Sequence, residues 1–406
     1  MRQKYGSLVA VLLWASVVST VPAQAAAPVI YDLGTLGGTD SNGYAINAGG
    51  QVAGGSTTAD GSGHAFLYSG KPGSGGAMAD LGTLGGTISI AEGINASGQV
   101  TGNSAPAGDS ANHAFLYTGT PGSGGAMADL GTLGGTNSRS HAINASGQVA
   151  GASDTAGNAA FHAFLYTGIP GSGGAMADLG TLGGMYSEGT AINASGQVTG
   201  YSKMAGNTVY HAFLYTGTPG SGGAMTDLGS LSSYGASYGY AVNAGGQVTG
   251  VAYTAGAEVH AFLYIGTPGS GGAMADLGTL GGPVSEGFAI NAGGQVVGDS
   301  STAAAERHAF LYTGTPGVDG HMIDLQAWLA ANDPADAAKW TLTNATGLTD
   351  TGLITGYGTY RDGPGGVSHG NHAFLLDASA LIPEPSSFAL LGLGGLALLR
   401  RRRVGL

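Results

Sequence analysis

Hydrophobic and polar residues alternate along the chain in a pattern that recurs about every 49 residues. Within each copy, short apolar or β-branched runs such as AIN, QVTG, HAFLYT and AMADLG are separated by segments rich in Gly, Ser and Pro. Runs of this length between turn residues are typical of β-strands, and the Ala-Ser-Gly or Ala-Gly-Gly between AIN and QVTG indicates a hairpin. Each copy therefore predicts a four-stranded antiparallel unit.

Two motifs mark the third and fourth predicted strands of every copy. A His-Ala-Phe tripeptide opens the third strand, and an Asp-Leu-Gly or a variant of it ends the fourth. The histidines are His64, His113, His162, His211, His260, His308 and His372. The aspartates are Asp32, Asp80, Asp129, Asp178, Asp227, Asp276 and Asp324.

A four-stranded repeat of this length is typical of a β-propeller blade. The first Asp-Leu-Gly strand, at 29–34, has no His-Ala-Phe strand before it, and the last His-Ala-Phe strand, at 372–377, has no Asp-Leu-Gly strand after it. Pairing these two strands would complete a seventh unit and remove the open sheet edges. The sequence thus predicts an all-β fold, a seven-bladed β-propeller over residues 29–377 that is closed by pairing of the N-terminal strand with the last blade.

The seventh copy is longer than the others. It places 64 residues between His308 and His372, against about 49 elsewhere. One part of the excess, residues 326–344, predicts a short helix interrupted near Pro334, since proline cannot continue a helix. The other part is the loop 358–371.

The two ends of the chain differ from the repeats. Residues 1–26 combine Arg2 and Lys4 with an apolar run and an Ala-x-Ala pattern, which predicts a signal peptide for the Sec export machinery. Residues 378–406 contain an apolar run followed by four arginines. The positive-inside rule would keep those arginines cytoplasmic, so we expect a C-terminal hydrophobic helix that transiently anchors the chain in the inner membrane.

Composition excludes several classes of protein. The 80 glycines follow no Gly-X-Y period, which excludes collagen, and the chain has no cysteine with which to form disulfides. The formal net charge is −12, and six of the twelve basic residues lie in the two terminal segments. The other six are scattered, so the sequence predicts no nucleic-acid partner.

The repeated histidines and aspartates invite a metal or acid–base interpretation. Their regularity argues against it, because a catalytic site needs a few groups that converge at one place. No pair of ligands has zinc-like spacing, and we expect neither a metal nor a cofactor. Instead each histidine is expected to bond within its own blade, for example to the aspartate of the adjacent strand.

Ligand contacts are expected where the repeat symmetry breaks. The residues just before each AIN differ between copies, and the seventh copy alone carries tryptophans outside the signal peptide. The tryptophans could stack on a sugar, but the favoured interpretation is that they pack the inserted helix against the ring, since buried tryptophan is usually part of a core. The candidate ligand-binding residues are Trp328, Trp340, Glu92, Arg139, Glu188 and Glu286.

Two parts of the sequence resemble known families. Pro383-Glu384-Pro385, the apolar stretch and Arg400, Arg401, Arg402 and Arg403 resemble the sorting signal of PEP-CTERM proteins. That resemblance implies recognition by an exosortase and delivery to the cell surface or extracellular matrix of a Gram-negative bacterium. The HAFLY, DLGTLGG and AINASGQVTG repeats resemble the HAF family of extracellular repeats, which implies a location and an architecture but no chemistry.

We therefore expect a non-catalytic surface or matrix protein with a role in adhesion or in association with exopolysaccharide or biofilm. The alternative is a secreted glycan-active enzyme, a hydrolase or a lyase, on the same scaffold. A hydrolase would need two carboxylates about 5–10 Å apart. Its symmetry-breaking candidates are Glu92, Glu188, Glu286 and His141.

Overall fold

The computed structural model describes residues 28–71, 74–233, 235–362 and 369–382, and these are almost entirely β-structure. The predicted signal peptide lies outside the described residues, as do Pro383, Glu384, Pro385 and the four arginines of the predicted sorting signal. The predicted C-terminal hydrophobic helix lies outside them as well. Within the described residues, no helix has the length and apolar character needed to span a membrane.

The described strands follow the order of the repeats. They are β1 (Val29–Asp32), β2 (Gly37–Ile46), β3 (Val52–Thr58), β4 (Gly63–Lys71), β5 (Ser74–Asp80), β6 (Gly85–Ile94), β7 (Val100–Pro106), β8 (His113–Thr120), β9 (Ser123–Asp129), β10 (Gly134–Ile143), β11 (Val149–Thr155), β12 (Phe161–Ile169), β13 (Ser172–Asp178), β14 (Gly183–Ile192), β15 (Val198–Met204), β16 (Tyr210–Thr218), β17 (Ser221–Asp227), β18 (Ser237–Val242), β19 (Val248–Tyr253), β20 (Val259–Thr267), β21 (Ser270–Asp276), β22 (Gly281–Ile290), β23 (Val296–Thr302), β24 (Arg307–Thr313), β25 (His321–Asp324), β26 (Trp340–Leu348), β27 (Leu353–Tyr360) and β28 (Asn371–Asp377).

These strands form four-stranded antiparallel meanders, which we number as units. Units I to VI are β2–β5, β6–β9, β10–β13, β14–β17, β18–β21 and β22–β25, and unit VII is β26–β28 with β1. Single parallel pairs, Phe161 with Tyr186 and Val259 with Val284, join units III to IV and V to VI. No sheet in the described part of the chain closes into a barrel.

Unit VII is built from both ends of the repeat array. Strand β1 pairs antiparallel with β28, with Val29 opposite Asp377 and Asp32 opposite Phe374, which is the pairing that the sequence predicts. His372 Nδ1 also lies 2.9 Å from Asp32 Oδ1. The outer edge of β28 is thereby covered by a strand that precedes it by 340 residues in the chain.

Consecutive units contact one another through their first strands. These contacts run from β2 through β6, β10, β14, β18, β22 and β26, and β26 in turn contacts β2. Buried serines bond the units together: the Ala65 N–H donates to Ser89 Oγ at 2.9 Å. The Ala373 N–H donates to Ser41 Oγ at the same distance, so the junction from unit VII to unit I repeats the bond made inside the array.

Asparagines of the AIN turns add a second link between units. Asn47 Nδ2 donates to the carbonyl oxygen of Asn95 at 3.0 Å, and the corresponding bond recurs along the array as far as Asn243 and Asn291. Each of these asparagine side chains is buried. Buried amides are tolerated when their hydrogen bonds are made, as they are here.

The hydrophobic core lies between units rather than within one of them. One typical layer packs Ala65 and Leu67 of unit I against Val100 and Phe115 of unit II. The phenylalanine of each His-Ala-Phe motif is completely buried in such a layer. A repeat of this kind cannot bury its own apolar face alone, so each unit depends on its neighbours for stability.

The insertion in unit VII forms two short helices. Helix α1 (Leu325–Asn332) is capped at its N-terminus by Asp324, whose carboxylate accepts the Ala327 N–H. Helix α2 (Pro334–Ala337) follows after Asp333. The predicted interruption near Pro334 is confirmed. The helical interpretation was wrong for 340–344, which begin strand β26, because Trp340 and Leu342 alternate into the core with the period of a strand.

Candidate functional site

A cavity of about 480 Å³ lies where the first strands of the units converge, and we call it the central cavity. Its lining draws on all seven units and combines aromatic, acidic and hydroxyl side chains. The lining residues are Tyr44, Ile90, Glu92, His141, Glu188, Thr190, Tyr201, Tyr240, Phe288, Thr346 and Tyr357.

A β-bulge supplies one cavity residue from each unit. In the first strand of every unit the register with the second strand shifts across a single residue, as between Gly43 and Ala45. A bulge inserts an unpaired residue and re-aims its side chain. The residues at these shifts are Tyr44, Glu92, His141, Thr190, Tyr240, Phe288 and Thr346, and every one of them lines the central cavity.

A small residue precedes each bulge because neighbouring units approach closely there. A Cβ on Gly43 would lie 2.6 Å from Thr355 Oγ1 of unit VII. A Cβ on Gly287 would lie 2.5 Å from Thr249 Oγ1 of unit V. These contacts are too short for a side chain, so glycine at these positions allows the bulged residue to sit at the cavity.

Aromatic rings form much of the cavity wall. Tyr240 and Phe288 stack with ring centroids 5.8 Å apart and planes inclined by 25°. Tyr44 and Tyr357 meet edge to face at 6.2 Å. Burial raises the pKa of Tyr357 to about 12, so its hydroxyl stays protonated at neutral pH and can donate a hydrogen bond.

A charged network occupies one side of the cavity. His141 Nδ1 bonds the carboxylate of Glu92, and its Nε2 lies 2.6 Å from Glu188 Oε1. Arg139 donates to both oxygens of Glu188, from Nε at 2.6 Å and from Nη2 at 2.7 Å. An imidazole that donates hydrogen bonds to two carboxylates must carry a proton on both nitrogens.

Two tyrosines complete the coordination of Glu188. The hydroxyls of Tyr186 and Tyr201 each donate to Glu188 Oε2 at 2.6 Å. The side chain of Glu188 is only 3% exposed. Its oxygens therefore accept bonds from four side chains and are held away from solvent.

The network fixes the charge states of its members. Burial opposes protonation of His141, but Glu92 and Glu188 outweigh burial and raise its pKa to about 10. Burial likewise opposes ionisation of Glu188, but His141 and Arg139 outweigh it and hold the pKa of Glu188 well below its ordinary value. At neutral pH His141 is thus a cation and Glu188 an anion.

Fixed charges of this kind suit binding better than proton transfer. A general acid or base works best with a pKa near the operating pH. The pKa of His141 lies well above neutral pH and that of Glu188 well below it. The two formal cations, Arg139 and His141, balance the two formal anions, Glu92 and Glu188. The network is therefore electroneutral, and the cavity offers aromatic faces beside a rigid polar wall.

The third candidate acid, Glu286, belongs to a different cluster. Its Oε1 lies 2.6 Å from Arg307 Nη2, and Arg307 Nε bonds the buried carboxylate of Asp299. Asn344 Nδ2 also donates to Asp299, at 3.0 Å. Burial raises the pKa of Asp299 to about 6, since it outweighs the effect of Arg307.

The two candidate tryptophans lie around the unit VII insertion. Trp340 is 3% exposed, and its ring centroid lies 4.6 Å from that of Tyr360 and 5.9 Å from that of Phe374. Trp328, on α1, is partly buried against the same hydrophobic cluster. Trp340 is therefore a core residue with little surface to offer a ligand.

The repeated histidines and aspartates pair within the units. Each histidine Nδ1 contacts the carboxylate of its matched aspartate at 2.7–2.9 Å: His64 with Asp80, His113 with Asp129, His162 with Asp178, His211 with Asp227, His260 with Asp276, His308 with Asp324 and His372 with Asp32. In units I to V and in unit VII the aspartate also accepts a hydrogen bond from the N–H of the glycine two residues later. For example, the Gly82 N–H donates to Asp80. Among the described residues no three His, Cys, Asp or Glu side chains are grouped so as to hold a metal ion.

Sequence reasoning missed the residues that the second strands contribute. Tyr201 and Tyr357 lie on the second strands β15 and β27 and line the cavity. Tyr186, which was also missed, lies on the first strand β14 and donates a hydrogen bond to Glu188. A signal was present, because the residue after each QVTG is small in units I and III but is Tyr201 in unit IV. Comparing the copies at this position, as well as just before AIN, would have found it.

Comparison with protein-family models gives a match at the C-terminus. A family model described as the PEP-CTERM protein-sorting motif matches residues 381–403. The motif indicates export and sorting by an exosortase to a surface or extracellular location. Comparison with curated proteins finds no match, and the resemblance of the repeats to the HAF family stays a prediction.

Proposed function

We propose that this chain is a seven-bladed β-propeller that is held at the cell surface or in the extracellular matrix and binds neutral polysaccharide in its central cavity without cleaving it. In this proposal residues 1–26 direct Sec export, residues 29–377 form the propeller, and residues 378–406 anchor the chain transiently in the inner membrane until an exosortase acts. Bound polysaccharide would then support adhesion or a role in biofilm.

The propeller assignment is supported by the cyclic contacts of the units. Each first strand contacts the next, β26 contacts β2, and β1 completes unit VII. A closed arrangement of four-stranded meanders around a shared cavity is the propeller architecture. Ligands of such folds bind where the blades converge, which is where the bulged residues lie.

The ligand class follows from the chemistry of the cavity wall. Aromatic rings such as those of Tyr240 and Phe288 offer apolar faces on which sugar rings can stack, and hydroxyls such as that of Thr190 can bond sugar hydroxyls. The charged network beside them is electroneutral. Because the chain carries a formal net charge of −12, an anionic polymer would be repelled, and a neutral one would not.

The saturation of Glu188 is the observation that carries the non-catalytic assignment. Glu92 and Glu188 contact opposite nitrogens of the His141 ring, and both line the cavity, so they are the pair of acids that the enzyme alternative would have to use. However, Glu188 already accepts bonds from Arg139, His141 and two tyrosines. A carboxylate in that state can neither donate a proton to a leaving group nor act as a free base.

Binding is tested on a glycan array with the exported protein and Tyr240→Ala. We expect neutral glycans to bind the wild type, and we expect Tyr240→Ala to weaken that binding about three- to tenfold, because stacking on an aromatic ring contributes about 0.5–1.5 kcal/mol beyond burial. Titration calorimetry on a glycan that the array identifies gives the ratio of dissociation constants.

The matched control for Tyr240 is Ile169→Ala, which removes an apolar side chain that is 69% exposed and lies away from the cavity. It should bind like the wild type. Equal weakening by both variants would argue against the central cavity as the binding site, and release of reducing ends or unsaturated sugars by the wild type would favour the enzyme alternative.

Sorting is tested with Glu384→Ala. We expect the wild type in the extracellular or matrix fraction and the variant in the inner-membrane fraction, because Glu384 lies within the matched sorting motif. Fractionation followed by immunoblotting measures the distribution. Glu306→Ala, at a side chain that is 69% exposed, is the control and should behave as wild type. An unchanged location for Glu384→Ala would contradict exosortase sorting.

A further inference from the structure

We propose that the polysaccharide chain runs out of the central cavity along an aromatic track to a second groove beside unit V, so that the protein binds an extended neutral polymer rather than a short oligosaccharide. The track consists of Tyr201, Tyr238, Tyr210 and Tyr253. This inference rests on the proposed function, since it takes the central cavity as the first part of the same binding site.

The groove exists because unit V departs from the repeat. Its first strand, β18, begins at Ser237, whereas β14 of unit IV begins at Gly183 and spans ten residues against the six of β18. In unit IV the leading glycine pairs with Met204 at the end of the second strand. The segment that leads into unit V, from Asp227, reads DLGSLSS, where the segment that leads into unit IV reads DLGTLGG. A groove of about 690 Å³ lies beside Tyr253 at the position of the missing pair.

The groove wall is aromatic and hydroxylated. Tyr210, Tyr238 and Tyr253 line it, together with the hydroxyl groups of Ser232 and Thr254. Tyr253 is 39% exposed, so part of its ring is free to contact a ligand in the groove. None of the described lining residues carries a charge, and this composition suits a neutral sugar.

The track joins the groove to the central cavity. Tyr201 lines the cavity, and its ring centroid lies 5.0 Å from that of Tyr238, which lines the groove. Tyr210 lies a further 5.5 Å from Tyr238. The rings of Tyr201, Tyr238 and Tyr210 thus form one row, and Tyr253 lines the same groove as Tyr238 and Tyr210. Neighbouring sugars of one chain can therefore contact these rings in turn.

The aromatic character of the track is not a property of the repeat. The position of Tyr253 on the second strand is occupied in other units by small, polar or charged residues: Thr57, Ala105, Asp154, Lys203 and Ser301. The position of Tyr238 on the first strand is occupied by Asn42, Ile90, Arg139, Glu188 and Glu286. Packing alone does not require tyrosine at either position, since five other units fold without it.

The track predicts that affinity rises with the length of the glycan. The probes are neutral gluco-, galacto- and manno-oligosaccharides of two to eight units, titrated into the exported protein and into Tyr253→Ala. We expect the wild type to bind the eight-unit member of the recognised series at least about tenfold more tightly than the two-unit member. Tyr253→Ala should weaken binding of the long probe about three- to tenfold, as expected for loss of one stacking ring, and leave the short probe unchanged.

The matched control is Ile265→Ala, which also lies in unit V and is 40% exposed. It should leave both affinities unchanged. If short probes bind in a Tyr240-dependent manner but affinity does not rise with length, or if Tyr253→Ala leaves the long probe unaffected, the track is wrong and the central site stands. If no probe binds the wild type at any length, the proposed function itself fails.

Discussion

Replacing Ile30 with aspartate is expected to lower the free energy of unfolding by about 3–5 kcal/mol. Ile30 lies on β1, is 7% exposed and packs in the cluster that contains Leu376 and Phe374. The substitution removes buried apolar area and places a carboxylate where it has no partner. Urea unfolding of the exported protein measures the change.

The control for Ile30 lies next to it on the same strand. Val29 is 40% exposed and lies opposite Asp377, so Val29→Lys places a charge on β1 without burying it or setting it against a like charge, and it should cost less than about 1 kcal/mol. Similar losses in the two variants would show that β1 does not pack as described. The two variants thus separate the effect of packing β1 into unit VII from the effect of placing a charge anywhere on that strand.

Closure of unit VII also matters for the proposed binding site. Tyr44 of unit I and Tyr357 of unit VII meet at the central cavity, and Thr346 Oγ1 donates to the Gly43 carbonyl across the same junction at 2.6 Å. Loss of β1 would expose an edge of β28 and loosen this junction. Ile30→Asp should therefore weaken glycan binding as well as stability.

Glu188→Gln is expected to have the second large effect, a loss of about 3 kcal/mol in the free energy of unfolding. Glu188 is the acceptor shared by Arg139 and His141, and it is 3% exposed. Removing its charge leaves two cations with one remaining carboxylate, that of Glu92. We therefore also expect the pKa of His141 to fall, which can be followed by NMR titration of its imidazole protons.

The network makes stability depend on pH with a definite sign. The pKa of His141 is raised from 6.5 to about 10, so its contribution is complete below about pH 6.5 and is lost as pH rises towards 10. At about 1.4 kcal/mol per pKa unit, the contribution is at most about 5 kcal/mol. The pKa of Glu188 is lowered, so its contribution is present above its ordinary pKa and is lost in acid.

Urea unfolding at pH 6 and pH 9.5 tests this dependence. The wild type should lose stability between the two values, and Glu188→Gln should lose much less, because its His141 is held less strongly as a cation. Glu258→Gln, at a side chain that is 53% exposed, should follow the wild type. If Glu188→Gln lost as much unfolding free energy between pH 6 and pH 9.5 as the wild type, His141 would not stabilise the fold through this network.

Much of the fold could be read from local sequence signals. The order of strands within a unit follows from short apolar runs between glycine-rich turns, and the pairing of β1 with β28 follows from counting which strands lack a partner. The strand order depends only on residues close together in the sequence. The pairing of β1 with β28 depends only on finding which repeat lacks a strand. The start of β26 at Trp340 was missed, because a preceding helical pattern concealed a change of period from 3.6 to 2.

The site was only partly predictable. The residues before each AIN were expected to contact a ligand because they differ between copies. However, a bulge such as that at Tyr44 arises from the register between two strands, which no single strand encodes. The contacts of His141 with Glu92 and with Glu188 span 49 and 47 residues. Those separations are close to the repeat period, so equivalent positions of neighbouring units were the signal to look for.

The sequence by itself determined the repeat, the strand order and the way the two ends complete one unit, because each of these follows from periodicity and from turn residues. Only the tertiary structure decided which side chains converge, because the central cavity is formed by stacking of the units around it. Glu188 illustrates the difference. Its hydrogen-bond partners come from two units, and their bonds keep this candidate acid ionised. It can therefore stabilise the cavity wall but cannot transfer a proton.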